Sequence, residues 1–92
     1  MKFEWDDAKN VVNKSKHGVW FEEAQTIWAD GNSIEFFDPE HSDDEDRFIR
    51  IGISTRLNVL IVAFCERDEN SIRIISARRA TPAEREQYEE GI

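Results

Sequence analysis

The sequence has little cysteine, histidine, proline and glycine, and these shortages exclude several classes of protein. Its single cysteine, Cys65, excludes a disulfide within the chain, and one cysteine with two histidines is too few for a structural zinc site. Cys65 lies in an apolar run, so we interpret it as a small core residue rather than a reactive thiol. We therefore expect neither a metal nor another cofactor.

Long apolar runs are also missing. No run approaches the roughly 20 residues that span a membrane, and the N-terminus lacks the apolar core of a signal peptide. We therefore expect a cytoplasmic protein without a membrane contact. What the chain does contain, 39% hydrophobic and 35% charged residues, is typical of one small folded domain over residues 1–92.

Arginine and lysine are each absent from one part of the chain. Residues 1–37 contain four lysines and no arginine, residues 47–92 contain eight arginines and no lysine, and residues 38–46 hold six acids and no base. Without these six acids the net charge of −8 would be −2. The rest of the chain can therefore present a local positive face. The acidic segment lacks the ligand spacing of an EF-hand. We interpret it first as a solvated loop, then as a contact for a basic partner, and last as a metal site.

The pattern of apolar residues predicts an α+β domain with two helices, four strands and a last helix. Asp6 can cap a first helix that runs to about His17, and a second short helix follows at residues 21–29. The residues that we expect on the inner face of the first helix are Ala8, Val11, Val12 and Ser15. The C-terminal helix, from Pro82 to about Glu90, begins with a capping-box signal.

The four predicted strands cover residues 34–37, 47–54, 59–67 and 71–78. The third is almost continuously apolar, which is typical of a central strand covered on both faces. Short connections predict that the last three form an antiparallel meander, with the helices packed mainly on one face of the sheet.

Two adjacent arginines, Arg78 and Arg79, end the last predicted strand. Strand alternation sends them to opposite faces, unless the strand ends or bulges there. One can pair with an acid of the C-terminal helix while the other binds phosphate, which guanidinium groups recognise bidentately. The alternative is that both are solvated at the strand end or pair with Glu84 and Glu86.

Glu66 and Arg67 end the preceding strand. A tight hairpin would place them at the opposite end of the last strand, about 20 Å from the twin arginines. Arg50 and Arg73, in mid-strand, would then bridge the two ends as a basic stripe on one sheet face. The alternative for Glu66 and Arg67 is an exposed ion pair, which contributes little stability.

A third group, Lys14, Lys16 and His17, ends the first helix, where the helix dipole favours cations. Capping is therefore one interpretation. The other is that His17 transfers a proton near neutral pH while the lysines hold phosphate. His41 lies in the acidic segment, and we assign it no role.

Several of these segments, taken together and in this order, carry a family resemblance. They include Phe3-Glu4-Trp5-Asp6, Lys16-His17-Gly18-Val19, Phe21-Glu22-Glu23-Ala24, Asp38-Pro39-Glu40-His41-Ser42 and Ser76-Ala77-Arg78-Arg79-Ala80. The chain resembles the BrnT toxin family of bacterial type II toxin–antitoxin systems along essentially its whole length. One departure is Trp20, where the family usually has a serine that caps the second helix; this would cost about 1 kcal/mol.

The resemblance implies a RelE-like fold, metal-independent RNA cleavage that inhibits translation, and neutralisation by a ribbon–helix–helix antitoxin similar to BrnA. Operator DNA would be contacted only through that antitoxin. The alternatives are a non-catalytic protein-binding module and an inactive toxin homologue that acts as an antitoxin-bound regulator.

The implied chemistry also suggests roles for the candidate residues. Cleavage through the RNA 2′-hydroxyl needs a base, a donor for the leaving oxygen and positive charge at the phosphate. We expect His17 or Glu66 as the base, and Tyr88 either as a hydrogen-bond donor or as a residue that positions the phosphate. The residues expected to stabilise the transition state are Arg67, Arg78 and Arg79. The residues expected to bind RNA are Lys14, Lys16, Arg50 and Arg73.

Overall fold

The computed structural model describes residues 1–91, which form a mixed five-stranded sheet with three α-helices. In chain order the elements are β1 (Lys2–Glu4), α1 (Asp7–His17), α2 (Phe21–Ala24), β2 (Ile34–Asp38), β3 (Arg47–Ile53), β4 (Val59–Asp68), β5 (Ser71–Arg79) and α3 (Pro82–Glu90). A 3₁₀ helix, Gln25–Ala29, continues α2, and a second one, Pro39–His41, follows β2. The predicted α+β class is confirmed. Within residues 1–91, no helix has the length and apolarity needed to cross a membrane.

The sheet has the strand order β1-β5-β4-β3-β2. The antiparallel meander of β3, β4 and β5 is confirmed, but the prediction of four strands is wrong because β1 pairs in parallel with β5. Strand β1 has only three residues and one apolar side chain, that of Phe3, so the sequence shows no alternation of apolar and polar residues there. The partner strand, rather than local sequence, makes this segment a strand.

Each face of the sheet has its own core. On the α2 face, α2 and its 3₁₀ extension bury Phe21, Ala24 and Ile27 against β4 and β5. On the α3 face, Tyr88 of α3 packs on a smaller cluster that includes Ile51 and Ile61. The prediction that β4 is covered on both faces is therefore confirmed, whereas the prediction that the helices pack mainly on one face is wrong, because α3 covers the face opposite α2.

A β-bulge in β5 changes which residues share a face. Ala63 pairs with Ser76 whereas Phe64 pairs with Ile74, so Ile75 is one extra residue in the strand. Residues directly opposite in an antiparallel pair point to the same face. As a result Ile74 and Ala77 belong to the α2 face, while residues 73, 76 and 78 belong to the α3 face.

Helix α1 is docked by asparagines rather than by apolar residues. Asn13 is 6% exposed, while Val11 is 59% and Val12 is 53% exposed. The Asn13 side chain donates to the carbonyl of Ala77 (2.8 Å) and accepts from its N–H (3.1 Å). The predicted apolar inner face is wrong because α1 covers a polar strand edge. The short β1 pairs only with residues 71–73 of β5. Further along the same edge, the side chain of Asn13 forms the hydrogen bonds to Ala77 that a neighbouring strand would otherwise form.

A second asparagine compensates for the missing cap of α2. Trp20 precedes this helix and its side chain makes no capping hydrogen bond. Asn10 of α1 instead accepts a hydrogen bond from the Phe21 N–H (2.8 Å) and donates one to Glu22 (2.8 Å). The cap is therefore supplied from another helix.

Candidate active site

The sheet divides the predicted site residues between its two faces. Arg73 pairs with Cys65 across β5 and β4, and Arg47 pairs with the same Cys65 across β3 and β4. All three lie on the α3 face. Arg50 pairs with Val62, which belongs to the core of the α2 face. The predicted basic stripe of Arg50 and Arg73 is therefore wrong, because their registers place them on opposite faces.

Arg47, Cys65 and Arg73 form a row across three strands of the α3 face. The strand spacing puts the Cα atoms of the two arginines about 10 Å apart, with the buried Cys65 between them. Burial raises the pKa of the Cys65 thiol, so the thiol stays protonated and unreactive. Within residues 1–91, neither of these two arginines forms a salt bridge. Neither guanidinium group therefore has to leave a carboxylate in order to bind an anion, although the Nε of Arg47 is buried.

Arg67 belongs to the same end of the α3 face but is already paired. Its guanidinium lies 3.5 Å from a carboxylate oxygen of Glu4 and 3.8 Å from one of Glu45. All three side chains are about half exposed, so these contacts are weak. The paired carboxylates still reduce the positive charge that Arg67 presents.

Arg78 is fixed by a carboxylate of α3. Its two terminal nitrogens donate to the two oxygens of Glu84 at 2.7 and 2.8 Å. These hydrogen bonds lower the pKa of Glu84 to about 2, and Glu84 raises the pKa of Arg78. Arg79 pairs in register with Leu60 and lies on the α2 face. The prediction that the twin arginines leave the strand on opposite faces is confirmed.

Tyr88 uses its hydroxyl inside the fold. The hydroxyl donates to Asp30 at 2.5 Å, and the same carboxylate oxygen accepts from the Ile53 N–H at 2.9 Å. Burial and the Asp30 carboxylate raise the pKa of Tyr88 to about 12. In this conformation Tyr88 ties α3 to the segment before β2, and its proton is not directed at a ligand.

The end of α1 forms one side of a cleft beside β5. This cleft has a volume of about 290 Å³, and the residues that line it are Ala8, Lys9, Val12, Asn13, Lys16, His17, Ile75 and Ser76. His17 and Lys16 are exposed there. Lys14 instead donates to the Gly18 carbonyl (3.2 Å) and lies over the Trp20 ring, as the capping interpretation predicts.

Glu66 lies in a different cleft, on the α2 face at the far end of the sheet. That cleft has a volume of about 320 Å³ and also contains Arg50, Glu35 and Trp28. Arg50 donates to Glu35 at 2.7 Å and stacks over the Trp28 ring at 5.2 Å. The structure therefore separates Glu66 and Arg50 from Arg73 and Arg78 on the α3 face and from His17 in the cleft beside β5.

Metal-binding clusters are absent from the part of the chain that the structure describes. Among residues 1–91, no three histidine, cysteine or acidic side chains are grouped so that they could hold an ion. The cleft beside β5 contains the imidazole of His17 and the ammonium group of Lys16, and the α3 face carries the guanidinium groups of Arg73 and Arg78. They are suited to binding an anion and transferring a proton.

Comparison with known proteins identifies the family. A family model described as "Ribonuclease toxin, BrnT, of type II toxin-antitoxin system" matches residues 5–84, which is most of the chain. The chain belongs to the BrnT family. The predictions of a BrnT-type toxin and of ribonuclease function are confirmed by this match, and membership of a type II system implies an antitoxin partner.

The structure of a BrnT toxin supports the assignment. The 1.1 Å crystal structure of the Brucella abortus ribonuclease toxin BrnT is similar with a TM-score of 0.65 and 26% sequence identity. The match covers 88% of this chain and 97% of that chain. The search among curated proteins found no match.

Two residues of the α3 face, at or near the candidate site, were not selected from the sequence of this BrnT-family chain. Arg47 was not selected, although it follows the acidic segment, because its place beside Cys65 depends on the pairing of β3 with β4. Ser76 was assigned no role, although strand alternation places it on the side of Arg78; the bulge at Ile75 is what brings Arg73 to that side as well. The place of Arg47 beside Cys65 and the side on which Arg73 lies depend on contacts between strands, which no local pattern reveals.

Proposed function

We propose that this BrnT-family toxin is a metal-independent endoribonuclease whose RNA site is the part of the α3 face next to α1. The observation that carries the proposal is the bulge at Ile75. It brings Arg73, Ser76 and Arg78 to one face, beside the cleft that contains Lys16 and His17. We propose this set as the active site.

The phosphate would be held by arginines. Arg73 forms no salt bridge within residues 1–91, so it can bind a phosphate without first losing a carboxylate. Arg78 is held in one orientation by Glu84 and keeps further N–H donors of its guanidinium for a ligand. A fixed cation favours the transition state because little reorganisation is needed as negative charge develops on the phosphate. Arg67 would extend the positive surface to a longer RNA segment.

His17 would transfer the proton. The imidazole takes the proton of the RNA 2′-hydroxyl, and the 2′-oxygen forms a bond to phosphorus while the bond to the 5′-oxygen breaks. The imidazolium then returns a proton to the leaving 5′-oxygen, so the step balances without another reactant. The products are a 2′,3′-cyclic phosphate and a 5′-hydroxyl. Lys16, next to His17 in the cleft, adds positive charge.

The wider biological role follows from the same reaction. Cleavage of messenger RNA would inhibit translation in the cytoplasm until the antitoxin binds. We propose that the antitoxin is a ribbon–helix–helix protein of the BrnA type. It would also supply the contact with operator DNA, because a toxin of net charge −8 is poorly suited to binding DNA alone.

End-labelled RNA incubated with the purified chain and excess EDTA tests the proposal. We expect cleavage to continue with chelator, and mass spectrometry to find 2′,3′-cyclic phosphate ends. Replacement of Arg73 by alanine should lower kcat/KM by a factor of about 10² to 10³. The matched control is Arg56→Ala, which removes the same charge from an exposed turn. Equal effects of the two substitutions, or cleavage that stops with EDTA, would contradict the proposed site or mechanism.

A further inference from the structure

The α2 face carries aromatic side chains beyond the region that α2 covers. Phe64, in the core, stacks with Phe48 at 5.7 Å, and Phe48 contacts Phe37 edge to face at 5.8 Å. Phe37 is 51% exposed. The aromatic series therefore runs from the core to the surface at β2.

Next to these rings lies the acidic cleft of the α2 face. Four carboxylates line it, Glu35, Glu66, Asp68 and Glu69, together with one guanidinium, that of Arg50. The Arg50 charge is already matched by Glu35 at 2.7 Å. The cleft thus has an excess of negative charge, which suits a cationic side chain and repels phosphate.

Strand β2 gives this surface an open edge. It is the last strand in the order β1-β5-β4-β3-β2, so one side of its backbone has no neighbouring strand within residues 1–91. The acidic segment at residues 38–46 follows it directly and extends the negative surface. An exposed strand edge flanked by acids can accept a segment of a basic protein.

We propose that this surface, formed by Phe37, Phe48, Glu35, Glu66 and Glu69, docks a basic segment of the antitoxin. An arginine or lysine of that segment enters the acidic cleft, and its apolar side chains cover Phe37. The proposal rests on the antitoxin partner of the type II system and is independent of where RNA is cut.

Charge decides between the possible occupants. An antitoxin that binds operator DNA, as proposed above, needs basic residues to neutralise phosphates, and these residues would complement a toxin of net charge −8. RNA would place its phosphates next to four carboxylates. A second copy of the toxin related by a two-fold axis would place carboxylates against carboxylates. The antitoxin segment is the occupant that this surface attracts.

Neighbouring phenylalanines provide a matched pair of variants. Phe37 faces the α2 side, whereas Phe36 pairs with Ile49 and faces the α3 side with 39% exposure. The affinity of the cognate antitoxin is measured by titration calorimetry for each purified variant. We expect Phe37→Ala to weaken binding at least tenfold and Phe36→Ala to change it less than threefold. Thermal unfolding confirms that both variants remain folded.

A second pair tests the charge. Glu69→Lys reverses a charge in the cleft, and Glu86→Lys makes the same change on α3, with the same effect on net charge. We expect only Glu69→Lys to weaken antitoxin binding at least tenfold. Both variants should cleave RNA at the wild-type rate without antitoxin, so loss of docking can be told apart from failure of the proposed RNA site.

Four results would overturn the docking proposal. Two of them concern the phenylalanines: antitoxin affinity is unchanged in Phe37→Ala, or it falls as much in Phe36→Ala as in Phe37→Ala. The third is that Glu69→Lys and Glu86→Lys lower antitoxin affinity equally. The fourth is that Phe37→Ala loses RNA cleavage. The last result would identify the aromatic surface as a platform for RNA bases. If sedimentation shows a toxin dimer that Phe37→Ala abolishes while antitoxin affinity is unchanged, the surface binds a second copy instead.

Discussion

Arg78 and Glu84 form a bidentate ion pair that fastens the end of β5 to the first turn of α3. The same carboxylate accepts a hydrogen bond from the Thr81 N–H at 2.9 Å and so completes the capping box of α3. One side chain therefore orients a candidate catalytic arginine and begins the helix that covers this face. Glu84 therefore connects the end of β5, the start of α3 and the proposed phosphate site.

Glu84→Gln tests the charge of this pair, because glutamine can still serve in a capping box. The folded-state pKa of Glu84 is about 2, below its ordinary value of 4.5. The pair therefore contributes stability above about pH 4.5, and this contribution is lost as the pH falls toward 2. At pH 7 we expect the variant to lose about 1–2 kcal/mol, a value reduced for the partial exposure of both side chains.

Urea unfolding of wild type and variant between pH 2 and pH 7 measures this difference. The difference in the free energy of unfolding between wild type and Glu84→Gln should decrease steadily below pH 4.5. Glu86→Gln, which removes the same charge elsewhere on α3, serves as the control. A difference that stays constant down to pH 2 would show that the carboxylate charge is not the cause.

Gly52→Ala should destabilise the domain through a steric contact. A Cβ atom at this position would lie 3.0 Å from the Ser33 Cβ and 3.1 Å from the Ile27 Cβ, and Ile27 is fully buried. Overpacking of this kind costs about 1–3 kcal/mol. Gly31→Ala is the matched control, since its added Cβ meets nothing within 4 Å. Denaturant unfolding that ranks the two variants in the opposite order would contradict the packing argument.

Asn13→Ala should detach α1 from β5. The substitution removes the two hydrogen bonds to Ala77 and leaves buried backbone groups unsatisfied, at a cost of about 2–3 kcal/mol. Ser15→Ala, on the exposed side of the same helix, should have little effect. Hydrogen exchange measured by NMR should show faster exchange of the Ala77 amide in the Asn13 variant. Full protection of that amide would mean that another group pairs with the strand edge.

Tyr88→Phe separates a structural from a catalytic role for this hydroxyl. Because the hydroxyl donates to Asp30, we expect its removal to cost about 1–2 kcal/mol of stability. RNA cleavage, assayed well below the melting temperature, should stay within about threefold of wild type, since direct participation in proton transfer would give at least about 10². A loss of that larger size would show that Tyr88 leaves Asp30 to meet the RNA.

Local patterns predicted the features whose causes are local. The capping box of α3 and the opposite directions of Arg78 and Arg79 follow from spacing within a few residues, and both are present. The β1 strand, the bulge at Ile75 and the polar docking face of α1 were not predicted. Each depends on a partner distant in the sequence, as when Asn13 meets Ala77. Arg50 and Arg73 lie on opposite faces for a similar reason, because the register with β4 determines the face on which each side chain lies.

The docking of α1 also determines when during synthesis the site can exist. Asn13 and Ala77 are 64 residues apart, and the cleft with His17 needs Ile75 and Ser76 as its other wall. A helix of 11 residues is only marginally stable before it packs. A nascent chain that ends before β5 therefore has the histidine but no cleft to place it in. The proposed ribonuclease site is completed only after β5 has left the ribosome.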